Sequence, residues 1–274
     1  MNRSPREYIS SRDNPLIKTV IRLASSASAR REENLYICDG PTLLPEALAR
    51  GAEITAVLCA ESMQLPPLPA SVRLVELPER LIGAVSTTEK PQGLVFITRR
   101  PSTIWHGFRS RGIYLVLDRV QDPGNVGSIL RTADAFSATG ILLGPGCADP
   151  FSPKTVRASM GAVFSRFFYE FKAQDQEDGL LKALDSCALP MIACVPDENA
   201  LDLLTTDIDI SDVVLLLGNE GTGLSLPLLR KSGAKLKIPM GSSCQSLGVA
   251  AAATVFLWES FKYRFILGGI ACPR

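Results

Sequence analysis

Residues 113–144 read "IYLVLDRVQDPGNVGSILRTADAFSATGILLG", and this stretch decides the class of fold. It opens on five apolar residues, Ile113 to Leu117, and closes on a second apolar run, Ile141 to Leu143. Between them lie a Pro-Gly-Asn turn and a helical pattern that runs to about Ser137. Strand, turn, helix, strand is the unit of a parallel sheet, whose strands are covered on both faces and so read as unbroken apolar runs. Asn125 stands where a helix cap is expected. The free N–H groups of a helix start attract anions, and Arg131, almost two turns on, offers a fork of donors to a phosphate. The alternative is a surface arginine paired with Asp134 three residues away.

The same alternation continues downstream. "RFFYEF" (166–171), "PMIACV" (190–195), "DVVLLLG" (212–218) and "KLKIPM" (235–240) read as strands. "SPKTVRASMG" (152–161), "EDGLLKALDSC" (177–187) and "LSLPLLRKSG" (224–233) read as helices. Upstream, 14–33 carries a helical stripe at Leu16, Ile17, Val20, Ile21 and Leu23. Strands at 35–40, 54–60, 72–77 and 93–99 and a helix at 41–51 complete a smaller α/β unit. "RRPSTIWHGFRSRG" (99–112) is basic and irregular and reads as a linker. The expected division is 1–98, a linker 99–112, and 113–274.

The bulk numbers exclude several classes. The chain has 274 residues, 46% hydrophobic and 21% charged, and no apolar run reaches the roughly 18 residues of a membrane span. The amino terminus lacks the apolar core of a secretory signal. Seven scattered cysteines without C-x-x-C spacing, Cys244 in a small-residue loop and Cys272 among them, read as reduced thiols of a cytoplasmic protein. A single histidine, His106, leaves no His-based triad or multi-His metal site, and no metal is expected. Net charge is only +1, yet residues 1–31 hold Arg3, Arg6, Arg12, Lys18, Arg22, Arg30 and Arg31 against Glu7 and Asp13. Arg99, Arg100, Arg109 and Arg111 form a second basic group. Such stripes are either RNA phosphate contacts or solvated basic faces.

Two more loops follow apolar strands, where ligands bind in open α/β sheets. In "LLLGNEGTGL" (215–224), Gly218, Gly221 and Gly223 surround Glu220. It is neither a dinucleotide fingerprint nor a Walker loop, which disfavours a nucleotide-dependent oxidoreductase. Its glycines either admit a ligand to the backbone or make a hairpin-like turn. "IPMGSSCQSLGVAAAATVFLWE" (238–259) leads from a strand through a small-residue loop to a helix without charge from Leu247 to Trp258. That helix belongs in the sheet's cover or in a subunit interface, and Ser246 is a candidate cap for it.

In this order "NVGSILRTAD" (125–134), "GNEGTG" (218–223) and "IPMGSSCQSLGVAAAA" (238–253) resemble the three motifs of the SpoU/TrmH group of the SPOUT class, RNA ribose 2′-O-methyltransferases. The likeness spans about 113–261. "SSRDNPLIK" and "RLASSASARREENLYICDGPTLLPEAL" look like that family's substrate-binding domain. The resemblance implies a parallel-sheet α/β SPOUT domain with a deep trefoil knot, preceded by a small ribosomal-protein-like α/β domain. It implies S-adenosylmethionine held by Leu217, Gly218, Gly221, Ile238, Met240 and Leu247. It implies a catalytic set in which Arg131 grips a target phosphate and steadies the developing alkoxide. Asn125 and Ser246 would orient the ribose or the arginine, and Glu220 would hold loop and subunit geometry. An RNA partner, ribosomal before transfer RNA, and a homodimer through the carboxy-terminal domain follow from it, with no membrane. One departure stands out: the family usually has Asn where this chain has Gly248. That keeps open a catalytically weak or inactive RNA-binding homologue.

Overall fold

The structure is a computed structural model describing residues 6–61, 63–101, 105–165, 167–171, 176–241 and 246–267. Arg3, Cys244 and Cys272 lie outside the described residues. The chain divides into two compact units, 1–102 with 149–165, and 103–148 with 166–274. Residues 149–165, within the stretch expected to belong to the carboxy-terminal domain, therefore cluster with the amino-terminal unit.

The first unit runs β1 (Glu7–Tyr8), α1 (Pro15–Ser25), α2 (Ala27–Glu32), β2 (Leu35–Asp39), α3 (Leu43–Ala49), β3 (Ile54–Ala60), β4 (Arg73–Leu77), α4 (Glu79–Val85) and β5 (Leu94–Arg99). Its mixed sheet has the order β1-β4-β3-β5-β2. Asn14 caps α1 by accepting from Leu16 N, and Pro15 takes the first helical position, where a missing N–H costs nothing. The single helix expected over 14–33 is two. Ser26 is extended (φ −120°, ψ 119°); its N–H closes α1 on Arg22 O, and its Oγ caps α2 at Ala29 N. Ile17, Val20 and Leu23 of α1 and Leu81, Ile82 and Val85 of α4 pack on Ile37, Leu58, Val75 and Val95 of the sheet.

The second unit runs β6 (Ile113–Leu117), α5 (Pro123–Ala135) and β7 (Gly140–Leu143). After α6 (Pro153–Ala158), which lies in the first unit, come β8 (Phe168–Glu170), α7 (Gln176–Asp185), β9 (Met191–Cys194) and β10 (Leu201–Asp202). β11 (Val213–Leu217), α8 (Leu226–Lys231), β12 (Ala234–Lys237) and α9 (Val249–Phe261) complete it, with a π-helical stretch Lys262–Leu267. The seven strands are all parallel, in the order β10-β12-β9-β11-β6-β7-β8. Every residue of β6 and β11 is buried, as their unbroken apolar sequences require. Each such leucine or valine contributes about 1.5–3 kcal/mol of burial.

The expected linker is anchored rather than free. Trp105 and Phe108 pack edge-on against one another at 4.7 Å, Phe108 meets Tyr114 at 4.9 Å, and Trp105 meets Tyr169 at 4.8 Å. Both rings join the core that contains Tyr114, Val116 and Leu142. The basic stripes are also largely engaged. Arg6 pairs with Glu76, Lys18 with Asp13, Arg22 with Glu33, Arg99 with Glu53, and Arg111 with Asp212. Arg30, 5% exposed, is buried against Asp149 at 2.7 Å and donates to Leu23 O at 2.6 Å. Arg12, Arg31 and Arg109 remain as exposed cations outside these pairs.

Candidate active site

A sheet of parallel strands ends all its carboxyl termini on one edge, and the loops leaving that edge become neighbours only if their strands do. Here β12, β9, β11 and β6 are consecutive. The chain builds outward from β6 to β8, then returns on the other side of β11, so β6 and β11 flank the point where strand order reverses. That is where open α/β sheets bind ligands.

The loop after β11 folds back on itself. Gly223 N donates to Asn219 O at 2.9 Å, and the two residues form an antiparallel bridge, the hairpin-like turn among the readings of this loop. Asn219 Oδ1 accepts from Gly221 N at 2.8 Å and Thr222 N at 3.0 Å. A Cβ at Gly218 would stand 2.4 Å from Gly223 C and Leu224 N, so no side chain fits there. Gly223 adopts φ +67°, a left-handed conformation that costs glycine least. Two groups after β6 brace this loop. Asp118 accepts from Ser225 N at 2.7 Å, and Asn219 Nδ2 donates to Arg119 O at 2.9 Å. Arg119, at φ +55°, reaches both the Asp118 carboxylate and Gly223 O.

A cavity of about 310 Å³ opens at this edge. Leu217, Gly218, Gly221, Ile238, Met240 and Leu247, the six expected cofactor residues, all line it, together with Glu220 and Ser246. The loops after β11 and β12 are therefore brought together. Asn125 joins them through its side chain, which donates to Glu220 Oε1. Arg131 is exposed on α5 and is not among the described residues that line the cavity.

Two local expectations are corrected. Asn125 is not the cap of α5. Asp122, in an extended conformation (φ −78°, ψ 121°), is the cap and accepts from Asn125 N at 3.0 Å, with Pro123 at the first helical position. The Asp122 carboxylate thus satisfies one of the free N–H groups at that helix start. Ser246 is not the cap of α9 either. The helix begins at Val249, and its cap position is Gly248 (φ −60°, ψ 148°), without a side-chain bond.

Sequence reasoning missed Asp118, Arg119 and Asn219 as the braces, and Cys194, Val195 and Pro196 as a wall of the cavity. Asp118 carried a signal, as an acid directly after a buried strand. The wall carried none, because only the strand order places β9 beside β11. Burial pushes the Cys194 thiol up, and pushes Cys147 up to about 12, so both are protonated at neutral pH. All five described cysteines are free. Among the described residues no cluster of His, Cys, Asp or Glu is placed to hold a metal.

The cavity's chemistry suits a nucleoside carrying a cation. Leu217, Ile238, Val249 and Phe256 offer apolar surface to a flat purine. The tight glycine turn puts main chain beside it, and Glu220 adds a carboxylate at the wall.

Comparison with known proteins bears on this geometry. Residues 112–258 match the SpoU rRNA Methylase family, and residues 14–95 match an MRM3-like substrate binding domain. A Synechocystis protein described as an uncharacterized tRNA/rRNA methyltransferase is 31% identical over 266 residues, 94% of either chain. A 23S rRNA guanosine 2′-O-methyltransferase of Bacillus subtilis is 28% identical over 232 residues, 84% of this chain and 90% of that one. The AdoMet-bound rRNA methyltransferase of Sinorhizobium meliloti superposes with a TM-score of 0.80 at 29% identity, over 95% of this chain and 99% of that one. With the family match spanning more than half of the chain and the motif loops meeting at one cavity, the protein belongs to the SpoU rRNA methylase family.

Proposed function

We propose that this protein transfers the methyl group of S-adenosylmethionine to a ribose 2′-hydroxyl of ribosomal RNA. The observation that carries the reading is the convergence of the loops after β11 and β12 on one cavity at the carboxyl edge of a parallel sheet. It is supported by the rRNA 2′-O-methyltransferase name of the Bacillus subtilis relative and the bound cofactor of the Sinorhizobium meliloti one. The relatives carry methyltransferase names, which favours the active enzyme over the inactive homologue, although Gly248 lines the cavity where the family usually has Asn.

The main chain at Gly218, Ile238 and Leu247 would hold the adenosine part, with Leu217, Gly221 and Met240 packed around it. When bound, the cofactor supplies a methyl group on a positively charged sulfur, open to in-line attack. The chain must align the ribose hydroxyl with it and manage the hydroxyl's proton. Arg131 is assigned the target phosphate and the charge that develops on the 2′-oxygen. A guanidinium keeps its proton near neutral pH and so is a poor base. Asn125 and Ser246 are assigned the orientation of the ribose, with Glu220 fixing Asn125.

Arg131 does not line the cavity of its own chain, so its role calls for a second copy. The outer stripe of α9 is Ala251, Thr254 and Trp258, without charge, and Trp258 is 43% exposed. α9 lies against α5, where Phe136 meets Trp258 at 5.7 Å. An uncharged exposed stripe on α9, next to α5 through the Thr132–Thr254 contact, supports a two-fold dimer through α5 and α9. β11 lies between β9 and β6, and β12 between β10 and β9; such late insertion supports a trefoil knot, a rare exception among folds. Among the described residues no helix is long and apolar enough to cross a membrane. The rRNA substrate and the free thiols favour the cytoplasm.

Mapping 2′-O-methylation along rRNA from cells with and without the gene tests the activity. One ribose should lose its methyl group in the deletion and regain it on complementation. An unchanged methylation map, together with no binding of S-adenosylmethionine in calorimetry, would overturn the reading.

A further inference from the structure

A hollow of about 580 Å³ lies wholly within the first unit, between the turn after β2, the loop 87–92 and the end of α6. Its volume falls in the range of about 300–1,000 Å³ typical of small-molecule sites. Its walls come from both family matches: Asp39 and the loop belong to 14–95, whereas Arg157 and Met160 belong to 112–258. The segment that brings Arg157 and Met160 there is firmly docked. Phe151 is buried against Tyr36 at 4.9 Å, with the Arg100 guanidinium 4.4 Å from its ring, and Asp149 holds the buried Arg30.

The lining is mixed in a specific way. Lys90 and Arg157 are exposed cations. Asp39 is already committed: its Oδ2 accepts from Ser86 Oγ at 2.8 Å, Thr87 N at 2.5 Å and Thr87 Oγ1 at 3.0 Å, so it braces the wall. Thr42 and Gln92 add a hydroxyl and an amide. At the mouth, Met160 is 50% exposed at φ +47°. A non-glycine residue in the left-handed region stores strain of about 1–3 kcal/mol, and such residues gather at functional sites. Gly161 behind it (φ +97°) has room for no Cβ without crowding Glu46 of α3, at 3.1 Å. The fold thus maintains a strained turn that presents a polarizable apolar side chain at the rim of a polar hollow.

A groove for duplex backbone would be lined by one sign of charge. This one balances Lys90 and Arg157 against Glu89 and Asp39. It offers the polarizable face of Met160 and, in Thr42, Thr88 and Gln92, polar groups able to meet the edge of an unstacked base. We propose that this cavity receives one unpaired nucleotide of the RNA substrate, its phosphate held by Lys90 and Arg157 and its base laid on the Met160 thioether. The inference rests on the RNA-methyltransferase reading for the identity of the ligand and places a second contact with it in the first unit.

The test uses full-length protein and two fluorescein-labelled probes, an RNA stem closed by an unpaired loop of mixed sequence and the matching blunt duplex without a loop. Lys90→Ala with Arg157→Ala, and separately Met160→Gly, are compared with the parent by anisotropy. Met160→Gly relieves the strained backbone, so its melting temperature should equal or exceed the parent's. Both variants should bind the looped RNA about tenfold more weakly and the blunt duplex with parental affinity. Parental affinity for the looped RNA in both variants would overturn the proposal, as would an equal loss on both probes. Binding of S-adenosylmethionine by the parent is measured alongside. Its failure would count against the enzymatic reading, while the looped-against-duplex comparison would still decide the cavity.

Discussion

Gly218→Ala tests the cofactor loop with a single methyl group. The new Cβ would sit 2.4 Å from Gly223 C and Leu224 N, and 2.6 Å from Gly223 O, where ordinary contact begins at 3.4 Å. The obstruction is main chain on the returning limb of the same loop, so no side chain can rotate away. The limb must retreat by about 1 Å, the difference between those two distances. That displacement pulls on the 2.9 Å bond from Gly223 N to Asn219 O and on the 2.7 Å bond from Ser225 N to Asp118. Overpacking of this kind costs about 1–3 kcal/mol. Taken up by the loop, it weakens S-adenosylmethionine roughly 5- to 150-fold at 1.36 kcal/mol per factor of ten. A 1 Å misplacement near reacting atoms also lowers kcat/KM by about 10²-fold. Calorimetric titration of the cofactor reads the first effect, and transfer of labelled methyl to rRNA reads the second. A fully folded Gly218→Ala protein with parental cofactor affinity would refute the claim that this glycine shapes the binding loop.

Four further outcomes are expected. Arg131→Ala should abolish methyl transfer while leaving cofactor affinity within about twofold, since the residue does not line the cavity; mixing it with Gly218→Ala should restore activity if one copy's arginine serves the other's cavity, and no recovery in verified mixed dimers would refute that arrangement. Gly248→Asn should fold normally, because φ is −60° and nothing lies within 4 Å of its Cβ; it should raise turnover in steady-state kinetics, and reduced turnover would show that the family's amide is not what this site lacks. Asp149→Ala leaves the Arg30 guanidinium buried without its carboxylate, a loss of about 3–5 kcal/mol by urea unfolding, whereas replacing both residues with apolar ones should cost much less. Burial raises the pKa of Asp212, but hydrogen bonds from Arg111 and Gly112 N and the charge of Arg264 outweigh it and hold the carboxyl below its ordinary value; its stabilisation is therefore full above about pH 3.9 and lost as pH falls through the lowered value, so Asp212→Asn should lower the melting temperature at pH 7 and flatten the acid limb.

The central strands of the second sheet were legible because strands covered on both faces read as unbroken apolar runs between turn signals, whereas the two-residue β10 was not read. Ile113–Leu117 and Val213–Leu217 are wholly apolar and wholly buried. The short α4 escaped notice, since seven residues after Pro78 carry little periodic signal. The caps show a different limit. Asn125 and Ser246 are good caps by residue type, yet Asp122 and Gly248 hold those positions, because the preceding chain decides where helical dihedrals begin. The expected cofactor residues could be named because the loops after β11 and β12 resemble the family's motifs, not from strand position alone: Leu217 ends β11, and Leu247 lies ten residues beyond the end of β12. Their braces could not, since Asp118 meets Ser225 only through the pairing of β6 with β11. Arg30, read as a surface cation, is an internal one; its partner lies 119 positions away, beyond the reach of local charge patterns.

The position of β11 also governs how the molecule can be made. Synthesis delivers β6 and β9 well before the strand that joins them. Until residues 213–217 emerge, the inner edge of the β6-β7-β8 sheet and the still unpaired β9 stand open and apolar, the condition under which strands recruit one another between molecules. A nascent chain halted shortly before Val213 should therefore precipitate or engage a chaperone, and one released after β12 should not.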